Sequence, residues 1–332
     1  MTLRAAVIGM GVGERHVAGY DAHPGCRTVA VCDTDPARLA AYDHLRTTTE
    51  AAELLTDPDI DVVSVASYDD AHFEQVRLAL EHGKHVFAEK PLVLYADHAR
   101  EIAGMLTERP ELVLSTNVPL RRSPRFVRLR ERIQAGELGR LFLLEGDYDY
   151  GRRHKLTDGW RARIPYYSVF LGGGIHMVDL LLWLTGERVV EVLAAHGNRI
   201  ATDGTGFEHP DLVTATMRTE TGALMKVNAN LGCVSPHFHA VRLYGTDGTF
   251  ANGLPDGVLH HPGGVSEPVD DPYPGVGKEV LIGSFLDAIL TGQPAEVTAR
   301  DVFGTLSVCM AVERALESGE AVPVDDLLPS SG

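Results

Sequence analysis

The chain enters its first strand at once, with Arg4-Ala5-Ala6-Val7-Ile8, and this strand runs into the glycine cluster Gly9-Met10-Gly11-Val12-Gly13. Glycines at positions 9 and 11 permit a tight turn and let a pyrophosphate approach backbone N–H groups. The helix that follows would offer its positive N-terminus to the same anion. The third glycine of a G-x-G-x-x-G pattern would fall at position 14, where this chain has Glu14. Because Gly13 comes one residue early, the cluster alone is a weak indication of a dinucleotide site.

A second buried strand is predicted at Thr28–Cys32, and Asp33 stands at its end. A carboxylate in this place can accept hydrogen bonds from both ribose hydroxyls of an adenosine. Together with the glycine cluster it predicts a dinucleotide-binding βαβ unit. A second role for Asp33, as the N-cap of a helix before Pro36, stays open and is compatible with the first. We predict NAD in preference to NADP, since Asp33 should repel a 2′-phosphate and Arg38 would offset this only in part.

The first third of the chain alternates short apolar runs with amphipathic segments. Further strands are predicted at 61–66, 84–88 and 112–116, and helices at 72–81 and 95–106. This alternation is typical of a parallel, doubly wound sheet with helices on both faces. We therefore predict an α/β protein whose residues 1–118 form a Rossmann domain.

The pattern changes after residue 118. Strands now follow one another with few helices between them, and they are predicted at 141–150, 189–197, 212–219, 223–231 and 239–245. Such runs of strands are typical of an antiparallel or mixed sheet. Residues 119–332 are therefore predicted to form an α+β domain with a mainly antiparallel open sheet, closed by helices near 279–290 and 301–316.

The fifth apolar run, Val86-Phe87-Ala88, ends in Glu89-Lys90-Pro91. Ligands of open α/β sheets bind at the carboxyl ends of the strands. A lysine placed there beside a carboxylate is a candidate acid/base group, because its surroundings can move its pKa toward neutrality. The alternative is an ordinary connection between strand and helix with a solvated Glu and Lys.

Charge is distributed unevenly along the chain. Forty-six acidic residues against 30 Lys and Arg give a net charge of −16, which disfavours binding to nucleic acid or anionic lipid. Residues 152–163 nevertheless carry five Lys or Arg residues and one acidic residue. This loop is either a solvated surface or a site for an anionic substrate group. It is followed by Gly172-Gly173-Gly174 and a helix with His176 and Asp179 one turn apart.

Two further observations bound the class of protein. His237 and His239 alternate on one strand face, but no cluster of carboxylates or thiols completes a zinc set, so we predict no metal site. No signal-peptide pattern precedes the first strand and no apolar run is long enough to span a bilayer. A cytoplasmic protein without membrane contact is expected.

With these motifs in hand, the whole chain resembles the Gfo/Idh/MocA oxidoreductases, which include glucose-fructose oxidoreductase and inositol dehydrogenase. Glu89-Lys90-Pro91 is the most specific mark, followed by His72 and by His176 with Asp179. The resemblance implies a Rossmann domain followed by an open-sheet domain, NAD or NADP as cofactor, a carbohydrate substrate and a homodimer or homotetramer. The family usually has Asp-x-Gly-x-His where this chain has Gly172, which departs from the usual Lys/Asp/His proton relay.

The resemblance assigns roles to individual residues. Lys90 matches the family's catalytic lysine and His176 matches its catalytic histidine. The predicted cofactor contacts are Gly9, Gly11, Val12, Asp33, Ser67, His72, Glu89 and Lys90. The predicted substrate contacts are Lys90, Asn117, Arg152, Arg161, Tyr166, Tyr167 and His176.

The predicted function is a nicotinamide-dependent dehydrogenase or reductase of a carbohydrate. Oxidising an alcohol requires that a hydride leave carbon and a proton leave oxygen, and a lysine with a histidine could handle the proton. The arginine-rich loop favours an anionic or nucleotide-linked sugar. Two alternatives remain: a dehydrogenase of a neutral sugar or inositol-type cyclitol, and a non-catalytic sensor of a dinucleotide or sugar.

Overall fold

The computed structural model describes residues 2–328, and the chain divides into two compact units. Of the described residues, the first combines 2–119 with Val276–Gly304 and 326–328. The second combines Leu120–Gly275 with Thr305–Asp325. This grouping differs from the predicted division into 1–118 and 119–332, because residues 276–304 pack with the Rossmann strands.

The first unit contains a parallel sheet of six strands in the described part of the chain, in the order β3-β2-β1-β4-β5-β6. The strands are β1 (Leu3–Ile8), β2 (Cys26–Cys32), β3 (Arg46–Thr48), β4 (Val62–Val65), β5 (His85–Ala88) and β6 (Leu114–Thr116). The order reverses between β1 and β4, so their carboxyl ends border the crevice where ligands of such sheets bind. The predicted doubly wound fold is confirmed.

Helices connect these strands. They are α1 (Gly13–Asp21), α2 (Ala51–Leu55), α3 (His72–Glu81) and α4 (Ala96–Glu108). Glu50 occupies the N-cap position of α2.

The next two helices in the chain are α5 (Pro124–Gln134) and α6 (His154–Thr157) in the second unit. They are followed by α7 (Ile175–Thr185) in the same unit and by α8 (Ile282–Thr291) in the first unit. Helix α8 explains why residues 276–304 join the first unit. The Phe285 ring of α8 lies 5.5 Å from the Phe87 ring of β5, and both are fully buried. A Cβ on Gly19 of α1 would approach within 2.8 Å of Ile282, so α1 and α8 are in close contact. Burying one such large apolar side chain stabilises a fold by about 1.5–3 kcal/mol.

The second unit contains a sheet of nine strands among residues 2–328, in the order β14-β13-β12-β11-β7-β10-β9-β8-β15. The strands are β7 (Leu141–Asp149), β8 (Val189–Asn198), β9 (Leu212–Thr219), β10 (Leu224–Asn230), β11 (Phe238–Gly245), β12 (Thr249–Ala251), β13 (Gly257–His260), β14 (Ser266–Val269) and β15 (Val322–Pro323). Strands β7 and β10 run parallel and the other neighbours run antiparallel. The predicted mainly antiparallel sheet is confirmed.

Helix α7 packs on one face of this sheet. A Cβ on Gly146 of β7 would meet Met177 and Leu181 at 3.1 Å, so helix and strand approach closely. The glycines at 172–174 do not simply open this helix. They belong to a π-helical turn over Phe170–Gly174 that leads directly into α7. The last helix, α9 (Ala299–Ser318), follows α8 in the chain.

None of the helices within residues 2–328 combines the length and the apolar character needed to cross a bilayer.

Candidate functional site

The glycine turn after β1 is built for close backbone approach. Gly9 has φ +88°, and a Cβ there would overlap the Ala66 carbonyl at the end of β4. A Cβ on Gly13, the first residue of α1, would lie 2.7 Å from Val7 Cγ1. Gly13 thus provides the close packing of helix on strand for which the fingerprint uses its third glycine, one position early. The turn is compatible with a pyrophosphate, because Gly9 and Gly13 let the backbone approach closely and α1 begins there.

Asp33 is half-buried at the end of β2, and both of its carboxylate oxygens accept backbone hydrogen bonds. Oδ2 accepts from Met10 N at 2.7 Å, and Oδ1 accepts from Asp35 N at 2.9 Å. The carboxylate therefore ties the glycine turn to β2. The N-cap before Pro36 is Asp35, whose side chain accepts from Ala37 N, so the alternative N-cap role of Asp33 is wrong.

Arg38 lies closer to the glycine turn than its sequence position indicates. Its Nη1 is 3.4 Å from the place where a Cβ on Gly11 would stand. A positive charge therefore lies beside the turn, and Arg38 Nε is 3.8 Å from the Asp35 carboxylate.

Two predicted cofactor residues hold the loops at the ends of β4 and β5. His72 is fully buried, with Nδ1 at 2.8 Å from the Pro91 carbonyl and Nε2 at 3.2 Å from the Ser67 carbonyl. The Ser67 hydroxyl donates to Gln75 at 2.7 Å. Of the other predicted contacts, Val12 is partly exposed at the start of α1.

Glu89 belongs to a buried polar network that the sequence analysis did not predict. Its Oε1 accepts from Asn117 Nδ2 at 2.7 Å and lies 3.4 Å from His16 Nε2. The other His16 ring nitrogen is 2.7 Å from the Ser64 hydroxyl. Asn117 also donates to the Lys278 carbonyl at 2.9 Å. Asn117 is fully buried, so its placement gives no support to the predicted substrate contact. Its side chain holds the Glu89 carboxylate in place instead.

The network keeps Glu89 ionised. Burial alone would raise its pKa, but the His16 hydrogen bond and the charges of Lys278, His16 and Lys90 outweigh burial and lower the pKa to about 2. Lys90 follows at the carboxyl end of β5, is half-buried, and precedes a cis peptide bond to Pro91. A fixed negative charge therefore lies beside the candidate catalytic lysine.

In the second unit, His176 lies among aromatic side chains from the sheet. Its ring stacks on Tyr148 of β7 at 5.5 Å and lies 6.4 Å from the ring of His239 of β11. His239 Nδ1 is 2.6 Å from the Tyr273 hydroxyl. His237 packs edge-on against Tyr148 at 5.1 Å, so the two alternating histidines share a face with the candidate catalytic histidine. Burial raises the pKa of Tyr148, which keeps its phenol neutral.

The Tyr167 hydroxyl occupies the space that a side chain at position 172 would need. A Cβ on Gly172 would overlap the Tyr167 hydroxyl, and a Cβ on Gly173 would lie 2.6 Å from Tyr148 Cδ1. Arg161 Nε donates to the Tyr167 hydroxyl at 2.9 Å, and its guanidinium lies 4.5 Å from the Trp160 ring. Tyr167 is buried and Arg161 is half-buried.

The remaining predicted substrate residues are placed differently. The Tyr166 hydroxyl donates to Glu313 at 2.7 Å. Burial raises the pKa of Glu313, although hydrogen bonds from Ser168 and Tyr166 oppose the rise. Arg152 is exposed and lies over the Tyr150 ring at 5.4 Å. The hydrogen bond to Glu313 ties Tyr166 to the interior and gives no support to its predicted substrate contact.

Asp179 forms a buried ion pair. Its two carboxylate oxygens accept from Arg121 Nε at 2.9 Å and Arg121 Nη2 at 2.6 Å, and both side chains are at most 4% exposed. Asp179 therefore holds α7 to the segment that precedes α5, which is a structural role.

Several residues of the Glu89 network and of the surroundings of His176 and Tyr166 were missed by sequence reasoning. They are His16, Ser64, Lys278, Tyr148, Tyr273 and Glu313. Only Tyr148 had a signal in the sequence, since its place on the inward face of β7 follows from strand alternation with Gly146. Among residues 2–328, no group of three or more His, Cys, Asp or Glu side chains could hold a metal ion.

Comparison with known protein families matches both units. Residues 3–117 match the oxidoreductase family with an NAD-binding Rossmann fold, GFO_IDH_MocA, and residues 126–251 match the GFO/IDH/MocA C-terminal domain.

Individual relatives match along nearly the whole chain. Inositol 2-dehydrogenase 3 of Saccharopolyspora erythraea is 25% identical, over 98% of this chain and 96% of that protein. The 1,5-anhydro-D-fructose reductase of Ensifer adhaerens is 27% identical, over 95% and 96%. The scyllo-inositol dehydrogenase structure from Lactobacillus casei has a TM-score of 0.80 at 20% identity, covering 98% of this chain and 99% of that one. The solved structure is evidence for the fold alone.

Proposed function

The chain belongs to the GFO/IDH/MocA family of oxidoreductases, and on that premise we propose that it oxidises or reduces a ring carbon of a neutral sugar or cyclitol with NAD. The observation that carries the proposal is the Lys90 position, at the carboxyl end of β5 beside the ionised Glu89. His176, stacked on Tyr148, is the proposed acid/base partner.

We propose roles for the chain's own residues from their local surroundings and from the family resemblance. Gly9, Gly11, Val12 and α1 would hold the pyrophosphate, and Asp33 would receive the adenosine ribose. When bound, the nicotinamide exchanges a hydride with the substrate carbon. Lys90 would hold the reacting oxygen, and His176 would exchange its proton. We propose that Glu89, Asn117 and His72 act indirectly, by fixing the strand ends that carry Lys90.

The neutral substrate replaces the anionic sugar expected from the arginine-rich loop. The named relatives act on inositol and on 1,5-anhydro-D-fructose, which carry no charge. In this chain Arg161 donates to Tyr167, and Arg153 donates to the Ala201 carbonyl at 2.9 Å. Cations engaged in this way account for part of the local charge without an anionic substrate.

We expect purified protein to produce NADH when mixed with NAD and a panel of neutral polyols that includes inositol stereoisomers and anhydro sugars. A His176→Ala variant should lower kcat by about 10²–10⁴-fold on the best substrate, since it removes the proton acceptor. Absorbance at the NADH band measures both the turnover of each polyol and the kcat of the variant. If sugar acids or nucleotide sugars turn over while no neutral polyol does, the substrate class is wrong.

The binding preference between the two cofactors tests the role of Asp33. We expect NAD to bind at least about tenfold more tightly than NADP, because the fixed carboxylate repels a 2′-phosphate. Arg38 partly offsets this repulsion, so Arg38→Ala should weaken NADP binding more than NAD binding. Asp33→Asn should narrow the gap between the cofactors. Fluorescence titration with each cofactor measures the affinities, and tighter binding of NADP by the unmodified protein would contradict the assignment.

A non-catalytic sensor is the second candidate function, and the glycine at position 172 favours it, because the family's usual carboxylate is absent. Such a protein would bind NAD or a polyol and give no NADH with any substrate.

A cytoplasmic homodimer or homotetramer remains our proposal for the assembly, from the family resemblance alone.

A further inference from the structure

The π-helical turn before His176 is shaped by two phenol rings. Gly172 and Gly173 are buried, and a side chain at either position would enter the space of Tyr167 or Tyr148. The turn ends at Gly174, and His176 stands in the first turn of α7 immediately after it. Any change in the position of the turn is therefore passed directly to the imidazole.

Arg161 fixes the hydroxyl that fills position 172. Its Nε donates to the Tyr167 oxygen at 2.9 Å, and its guanidinium lies 5.5 Å from the centre of the Tyr167 ring. The guanidinium is charged at every accessible pH, so it always acts as donor to this oxygen. Because a phenol oxygen can accept while its hydrogen donates, the Tyr167 O–H is directed away from Arg161.

We propose that Tyr167, oriented by Arg161, is a positioning residue for His176 and provides the polar group that this chain lacks at position 172. The inference rests on the proposed function, since it assigns Tyr167 a part in that reaction. The hydroxyl fills the space beside Gly172 and so limits how far the turn can shift toward it. Small displacements of a reacting group are costly, since about 1 Å of misplacement can lower a rate about 10²-fold.

The first test removes the oxygen alone. Tyr167→Phe should lower kcat by about 10–100-fold while KM and NAD affinity change less than about threefold. Arg161→Gln should lower kcat in the same direction. Tyr244→Phe, a matched loss of a hydroxyl on β11, should leave the kinetics unchanged. Wild-type kcat in Tyr167→Phe would overturn the inference, as would an effect on KM alone.

The second test exchanges the groups that compete for one space. Gly172→Asp should abolish activity in the unmodified protein, because the new side chain meets the Tyr167 hydroxyl. In a Tyr167→Ala background the same Gly172→Asp change should raise kcat at least about tenfold over Tyr167→Ala, because a carboxylate then replaces the hydroxyl. A double variant no more active than Tyr167→Ala would refute the proposed replacement.

Thermal unfolding reads the same geometry without turnover. Gly172→Asp should lower the Tm much more when Tyr167 is present than when it is alanine. Equal shifts in the two backgrounds would show that Tyr167 does not occupy position 172. If the unmodified protein turns over no polyol while this coupling of Tm values persists, the proposed function fails although Tyr167 occupies position 172. If the protein turns over polyols and the coupling is absent, the inference about Tyr167 fails alone.

Discussion

Replacing Lys90 with methionine should lower kcat on the best polyol by about 10²–10⁴-fold and leave NAD affinity within about threefold of the original. Methionine has a similar length and packs in the same half-buried position, but it offers neither a charge nor a proton. The lysine lies at the carboxyl end of β5, where ligands of parallel sheets bind, next to a carboxylate whose pKa is lowered to about 2. Steady-state kinetics and a fluorescence titration of NAD measure the two effects.

The control for lost positive charge is Lys226→Met. Lys226 pairs with Glu145 at 2.9 Å on the sheet of the second unit, and its loss should leave kcat unchanged. Near-normal turnover in Lys90→Met would contradict the proposed mechanism. Loss of NAD binding in that variant would instead assign Lys90 to the cofactor.

The Rossmann unit could be predicted from sequence because its signals are local. Gly9 and Asp33 each stand directly after a buried strand, so their places in the fold could be predicted, while their contacts with a cofactor stay predictions. Even the early glycine has a local explanation, since Gly13 meets Val7 within one strand–turn–helix segment. That α8 belongs to the first unit could not be predicted, because an amphipathic helix has the same periodicity whichever sheet it covers.

The polar network of Glu89 could not be predicted, since its members come from five separate segments of the first unit. His16, Ser64 and Asn117 meet Glu89 only when the parallel sheet has formed. The anionic substrate predicted from the arginine-rich loop is not supported, for a related reason. A count of charges does not show which cations donate to neighbouring groups, and Arg161 donates to Tyr167.

The departure at Gly172 shows what a motif comparison leaves out. A missing carboxylate looks in the sequence like a lost function. In three dimensions the vacant side-chain position is filled by the hydroxyl of a residue five positions earlier, brought back by the π-helical turn. Neither the turn type nor the direction of the Tyr167 ring is encoded in residue spacing, so no sequence pattern predicts the replacement.

Replacing Asp179 with asparagine should lower the free energy of unfolding by about 3–5 kcal/mol, the largest stability effect that we expect from a single conservative change. The substitution retains shape but removes the negative charge that balances Arg121, and both side chains are at most 4% exposed. Water cannot solvate the guanidinium there, so its desolvation is no longer repaid. Urea or thermal unfolding followed by circular dichroism measures the loss.

Glu220→Gln is the matched control, since it also breaks a two-point contact between an arginine and a carboxylate in the same unit. Arg188 donates to Glu220 at 3.2 and 3.0 Å, but these side chains are 65% and 61% exposed, so the change should cost less than about 1 kcal/mol. A double change, Asp179→Leu with Arg121→Met, should recover part of the stability because it leaves no unbalanced charge. If Asp179→Asn unfolds like the unmodified protein yet loses kcat, Asp179 belongs to the reaction and its assignment as a structural residue is wrong.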